Sequence, residues 1–270
     1  MVYLKTIFSA PNEIKFIKLS LSEAAGHIDR FIVCEFNRTH TGEARELIFK
    51  NYLDQFTKAE QEKIVYIGAD IAKETVSAQD NSRLAHRNEK LMRGYFARQT
   101  KLRPWDIVFS VDADEVIYGE NYEAIKAQLK PWRPALKLRL HQFFYRLNYL
   151  WENNDFIAPT ACYAWYYLWR YPGQWRYAGR LYKPIAGAHF SWCLSTEEMI
   201  AKLKMYAHRQ EYGHLAEPAI LEKAVSDKSY PFDPRTDFRI KVLDLEKDKQ
   251  YFPPALYSNL EFFPHLIAKD

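Results

Sequence analysis

Apolar residues along the chain fall into short runs and helical stripes that alternate, and this alternation predicts the elements. Phe31 to Phe36 is a compact apolar run with Glu35 near its end. It reads as a core strand that delivers an acid to a sheet edge, followed by a loop over Asn37 to Gly42. Lys63 to Gly68 is a second strand. Asp80-Asn81-Ser82 then caps a helix in which Leu84, Leu91, Met92, Tyr95 and Phe96 recur at helical spacing. From Trp105 the chain turns β-branched and aromatic, with Ile107, Val108, Phe109 and Val111 as a central strand requires, and it ends abruptly in Asp112-Ala113-Asp114-Glu115.

Past the acids, Asn121 caps a short helix running to Leu129, and Pro131 and Pro134 end it. Ala135 to Leu147 alternates apolar and polar residues over its first half, the pattern of a strand with one wet face. Tyr145 to Tyr177 is dense in aromatics (Tyr149, Trp151, Trp165, Tyr166, Tyr167, Trp169, Trp175), either a stacking platform for an acceptor sugar or a hairpin buried on both faces. Ser195 and Glu198 form a capping box before the stripe Met199, Ile200, Leu203, Tyr206 and Ala207, so His189 falls on a strand or loop just ahead of a helix. The proline-bearing tail (Pro231, Pro234, Pro253, Pro254, Pro264) is expected to wrap the domain. Strands alternating with helices and then longer strands predict an α/β fold, its sheet parallel-rich at first and mixed later.

Composition narrows the classes. In 270 residues, 48% apolar content suffices for a substantial core. A net charge of +4 with interspersed signs calls for neither nucleic acid nor an acidic membrane as a partner. Cys34, Cys162 and Cys193 are far apart in apolar surroundings, so buried thiols in a reducing compartment are expected. Lys5, Glu13, Lys15 and Lys18 interrupt the N-terminal stretch, which therefore reads as neither a signal peptide nor an anchor. The longest apolar run, Ala161 to Trp169, is too short to span a bilayer. A cytoplasmic protein is the resulting expectation.

The acids supply the candidate chemistry. Ligands of open α/β sheets gather at the carboxyl ends of strands. Three carboxylates crowded there repel one another unless a cation joins them, and a hard divalent ion coordinated through oxygen meets that need. Acids after a strand also cap ordinary turns. Arg83, Arg87 and Asn88, in the first turns of the Ser82 helix, either face an anionic ligand or line a solvated surface.

Taken together, these pieces resemble glycosyltransferase family 17, whose best-known members are the bisecting β-1,4-N-acetylglucosaminyltransferases. Phe31 to Phe49 is similar to the family's first strand and loop, Leu102 to Glu115 to its D-A-D-E element, and Ala186 to Cys193 to its A-G-W-H-x-S-W-C element. Phe252-Pro253-Pro254 is similar to its C-terminal end. Val111, Ala188 and Phe36 depart from the family pattern and leave the donor sugar and acceptor open.

The resemblance implies a single GT-A domain, a Rossmann-like mixed sheet flanked by helices, with residues 1–118 as the nucleotide-sugar half and 119–270 as the acceptor half and C-terminal wrap. It implies an inverting transfer from a nucleotide sugar, UDP-linked, to a glycan or glycolipid hydroxyl. Asp112, Asp114 and His189 would hold Mn²⁺ or Mg²⁺. Glu35, Asn37, Arg38, Thr39, Arg87, Asn88, Asp112 and Ala113 would contact the donor. An inverting transfer needs a carboxylate base; Glu115, Glu152, Asp155 and Glu217 are the candidates, with Glu217 and Glu115 preferred. Peripheral membrane contact and oligomeric state stay open. Asp112 to Val116 also fits the D-x-D-x-V strand of haloacid-dehalogenase-type phosphatases, although no Gly-Asp follows it downstream. Aromatic density alone would suit a non-catalytic carbohydrate-binding module.

Overall fold

The computed structural model describes residues 1–78, 81–169, 179–205 and 209–268. Asp80, Trp175, Tyr177, Tyr206 and Ala207, each part of a pattern named for the sequence, lie outside the described residues. The strands are β1 (Val2–Phe8), β2 (Arg30–Phe36), β3 (Ile64–Ala69), β4 (Ile107–Ser110), β5 (Glu115–Ile117), β6 (Ala135–Phe144), β7 (Tyr149–Tyr163), β8 (Arg180–Ser191) and β9 (Ile240–Val242). They form one sheet in the order β3-β2-β1-β4-β7-β6-β8-β5, with β9 added alongside β7. The helices are α1 (Ile14–Ala24), α2 (Lys58–Lys63), α3 (Ser82–Gln99), α4 (Asn121–Gln128), α5 (Ala164–Trp169), α6 (Thr196–Met205), α7 (Arg209–Tyr212) and α8 (Pro218–Ser226).

β3, β2, β1 and β4 run parallel, whereas β7 runs antiparallel to both β4 and β6. From β1 the chain moves outward to β2 and β3, then returns to place β4 on the other side of β1. The carboxyl ends of β1 and β4 therefore flank a topological switch point, the place where such sheets open a crevice. Val108 and Phe109 of β4 are fully buried because both faces of the sheet are covered. On one face Ile14, Ile17 and Leu21 of α1 and Tyr122 and Ile125 of α4 pack with Phe109. On the other, Met92 and Phe96 of α3 and Tyr167 of α5 pack with Val108.

The α/β class with a mixed second half is what the pattern predicts. β1 escaped it because Lys5 interrupts its apolar run; that lysine is fully buried in the sheet, its Nζ donating to the Arg93 carbonyl at 3.2 Å. The acid-bearing segment is not one strand. β4 stops at Ser110, a turn closes where Glu115 N–H meets the Asp112 carbonyl at 3.1 Å, and Glu115 opens β5.

In the aromatic stretch the hairpin reading describes Trp151, which is buried against Tyr230 and Phe238, and Tyr166 and Tyr167 are buried as well. Asn81 caps α3 by accepting from Leu84 N–H at 3.1 Å, and Ser195 and Glu198 exchange the two bonds of a capping box. Asn121 opens α4, but its amide turns to the Ile185 carbonyl at 3.3 Å instead of capping. The tail does wrap the molecule, with Phe252, Leu256 and Phe263 buried under α1 and β8. All three cysteines are buried free thiols.

Candidate active site

Each acid after β4 has its own partner. Arg93, on the buried side of α3, donates to both Asp112 oxygens at 2.5 and 3.1 Å, a bidentate clamp that fixes the carboxylate in one plane. Glu89, one turn earlier on α3, supports that guanidinium at 2.8 Å. Burial would raise the Glu89 carboxyl, but Arg93 and then His40 bring it down to about 2. Ala113 is buried between the two aspartates.

Asp114 turns the other way, toward the second half of the sheet. Its Oδ2 lies 3.2 Å from Lys202 Nζ of α6, and its Oδ1 lies 3.6 Å from His189 Nε2 of β8. Burial alone would raise this carboxyl; the Lys202 ammonium and His189 overcome it and hold Asp114 well below the usual carboxylate range. The meeting is a product of register: β5 pairs antiparallel with β8, setting Glu115 directly opposite His189, and Phe190 N–H bonds the Asp114 carbonyl at 2.8 Å. Gly187 makes the approach feasible, since a Cβ there would stand 2.0 Å from the Val116 carbonyl oxygen. The His189 ring lies against Phe156 with centroids 3.9 Å apart, and its buried Nδ1 has no hydrogen-bond partner.

Beside the acids, the ends of β1 and β2 open a small cleft of about 40 Å³ lined by Ser9, Arg38, Thr39, His40, Arg45 and Met92, among others. Burial pushes the His40 imidazole below its ordinary value. Gly42 allows the loop to turn at φ +87°, pressed against the Val76 carbonyl. Below the cleft, Glu35 is fully buried. Its carboxylate accepts from Arg45, Ile48 N–H, Phe49 N–H and Tyr66 at 2.7 to 3.0 Å. Asn37 bonds Asp70 and Ile71 N–H, and Asn88 ties the His40 carbonyl to both backbone groups of Val76. These three side chains shape the cleft from behind, while Arg38 and Thr39 face it.

The structure brings Asp112, Ala113, Asp114, Glu115 and His189 together at the switch point, with Arg38 and Thr39 on the adjacent cleft. Arg87 is exposed on α3. Glu115 is buried and accepts from Asp112 N–H at 2.7 Å, so it holds the turn. Glu217 is exposed at the N-terminus of α8, with no bond to the acids among the described residues. Asp155 is paired with Arg139 at 2.6 Å, and Glu152 is exposed.

Sequence reasoning missed Lys5, Glu13, Arg45, Arg93 and Lys202. A lysine inside an apolar strand was the available signal for Lys5. Arg93 and Lys202 look like solvated helix residues until the fold turns them inward. Glu13 ends the short turn after β1, its carboxylate accepting from Ser9 N–H at 2.6 Å; burial pushes it up to about 7, with Lys202 and Asp114 both close enough to act on it.

The donor set fits a divalent cation shared with a ligand. Asp114 Oδ1 and His189 Nε2, 3.6 Å apart, suit one ion at the ~2 Å reach of small divalent cations. Among the described residues no three His, Cys, Asp or Glu side chains gather to hold a metal alone, so further positions would fall to ligand oxygens and water.

A parallel half-sheet with a polar cleft at its switch point, joined to a mixed half in which β8 supplies His189, defines a GT-A-type α/β protein. The model of glycosyltransferase family 17 matches residues 1–228, and the chain belongs to that family. No curated protein matches the sequence. Three solved structures with similarity are distant. 4-Diphosphocytidyl-2C-methyl-D-erythritol synthase from Anaerococcus prevotii DSM 20548 has 12% identity and TM-score 0.36, over 60% of this chain and 70% of that one. HddC from Yersinia pseudotuberculosis has 7% identity and TM-score 0.37, over 70% and 91%. Mouse xyloside xylosyltransferase 1, in its apo form, has 11% identity and TM-score 0.34, over 84% and 76%.

Proposed function

We propose that this glycosyltransferase moves a sugar from a nucleotide-sugar donor, UDP-linked, to a hydroxyl of a glycan or glycolipid, with inversion and with a divalent cation, Mn²⁺ or Mg²⁺. The observation that carries the reading is the pairing of Asp114 with His189 at the switch point, 3.6 Å apart beside an arginine-lined cleft. A bound cation would neutralise charge growing on the departing diphosphate. The chain's own residues do the rest. Asp114 and His189 would hold the cation, the nitrogen ligand favouring Mn²⁺. Arg93 fixes the Asp112 carboxylate, which would help to hold it. Lys202 adds a second positive charge where the leaving group separates, and Arg38 and Arg45 face the diphosphate from the loop after β2.

An inverting transfer also takes a proton from the acceptor hydroxyl. Glu115 is committed to the turn and Glu217 stands apart on α8, so the base is assigned to neither. A metal-dependent transferase predicts that UDP and Mn²⁺ together raise the melting temperature by more than the sum of their separate effects. Absence of that joint stabilisation at saturating ligand overturns the donor and metal assignment. A phosphatase would instead hydrolyse a generic phosphomonoester, and a carbohydrate-binding module would bind sugar with indifference to both ligands.

A further inference from the structure

We infer that the end of the sheet opposite the acids docks on an anionic phospholipid surface through Trp105 and Trp132. Two separate loops carry the same local pattern of cation, proline and tryptophan: Arg103-Pro104-Trp105 ahead of β4, and Lys130-Pro131-Trp132-Arg133 ahead of β6. Trp132 is 81% exposed and Trp105 is 61% exposed, although burying a large aromatic is among the strongest gains available to a folded chain.

The sheet brings the loops together. β7 lies between β4 and β6, its Tyr163 opposite Ile107 on one side and donating its N–H to the Pro134 carbonyl on the other. Trp105 packs edge-on against that Tyr163 ring at 5.4 Å. With neighbouring strands about 4.8 Å apart, the two loops leave the same end of the molecule within roughly 10 to 15 Å of each other. β8 continues the edge, with exposed Arg180 opposite Leu136 and exposed Leu181 opposite Lys137.

The form and charge of this end select the partner. Reciprocal backbone bonds of 3.0 and 2.8 Å between Lys130 and Arg133 close a tight turn, which presents Trp132 at a protruding tip. Proline before each tryptophan fixes the backbone, so little freedom is lost when the ring inserts. An indole on a rigid tip flanked by cations suits the headgroup layer of a bilayer, where the ring is buried while its N–H and the neighbouring charges stay wet. The acid of these loops, Asp106, is only 3% exposed and turns inward to Arg103 N–H at 2.7 Å, leaving the surface of the two loops cationic. No described helix is long and apolar enough to cross a membrane, so this contact would be peripheral.

Flotation with vesicles of phosphatidylcholine alone and of phosphatidylcholine with phosphatidylglycerol tests the proposal. Binding to the anionic vesicles is expected, weakening as salt is raised. The pair Trp105→Ser and Trp132→Ser, and separately Lys130→Ser with Arg133→Ser, should each weaken it at least about tenfold, while the protein stays folded, Trp105, Lys130 and Trp132 being exposed and Arg133 half-buried. Brominated lipid should quench indole fluorescence in the parent protein and not in the double tryptophan variant. Failure to bind anionic vesicles overturns the proposal, as does binding that survives loss of both tryptophans. Equal affinity for soluble heparin in the absence of vesicles would point to an acidic polymer and overturn it too.

Discussion

Asp112 and Asp114 are separated by one small residue, yet their carboxylates answer to different cations, Arg93 from α3 and Lys202 from α6. Neither partner was legible in the sequence, because an arginine or lysine on a helix reveals its direction only after the helix has docked. The acids themselves were legible, since carboxylates crowded at the end of an apolar strand repel one another and call for a cation to offset them. On the proposed reading, Asp114→Asn keeps the shape but loses the charge facing His189. Transfer should fall about 10²–10³-fold, as it does when one charge-stabilising group is removed from other active sites, with a folded circular dichroism spectrum retained. Glu13 gives a pH signature. Its folded value of about 7 lies above the ordinary 4.5, so the folded protein binds more protons than the unfolded chain between those values, and stability falls as pH rises through that window. Glu13→Gln should flatten the fall, measured as melting temperature from pH 4 to 8; a slope as steep as the parent's would remove Glu13 as its source.

Elements were readable where one periodicity prevailed. β2, β4 and α3 are clean apolar runs or stripes, whereas β1 hid behind its buried lysine and β5, with three residues, is too short to show a period. That shortness matters, because β5 joins the acidic turn to His189 across a ladder of three residue pairs. Gly187→Ala puts a methyl carbon where the Val116 carbonyl already stands. We expect a loss of about 1–3 kcal/mol in urea unfolding, the usual cost of overpacking, accompanied by lower activity as the two strands part. Unchanged stability would mean that the ladder relaxes freely and does not fix His189.

Across the whole molecule, the family match ends at residue 228, but the packing does not. Phe252, Leu256 and Phe263 complete the cluster that holds Phe16 of α1, Phe143 of β6 and Phe190 of β8. Leu256 is fully buried, and Leu256→Ala should cost about 2–5 kcal/mol in denaturant unfolding. A change near zero would show the tail to be dispensable. The proline-bearing composition suggested a wrap, but which faces it covers depends on contacts far apart in sequence and could not be read in advance.

One sheet runs from β3 to β5, with register shifts where β6 meets β7 and β8, so the cleft and His189 share a single plate. On the proposed reading, admission of a donor and release of its spent nucleotide would fall to local opening of the segments around Gly42 and Val76. Turnover in this chain would then be gated by how readily Asn88 lets that latch go, making the latch a place to alter speed without altering chemistry.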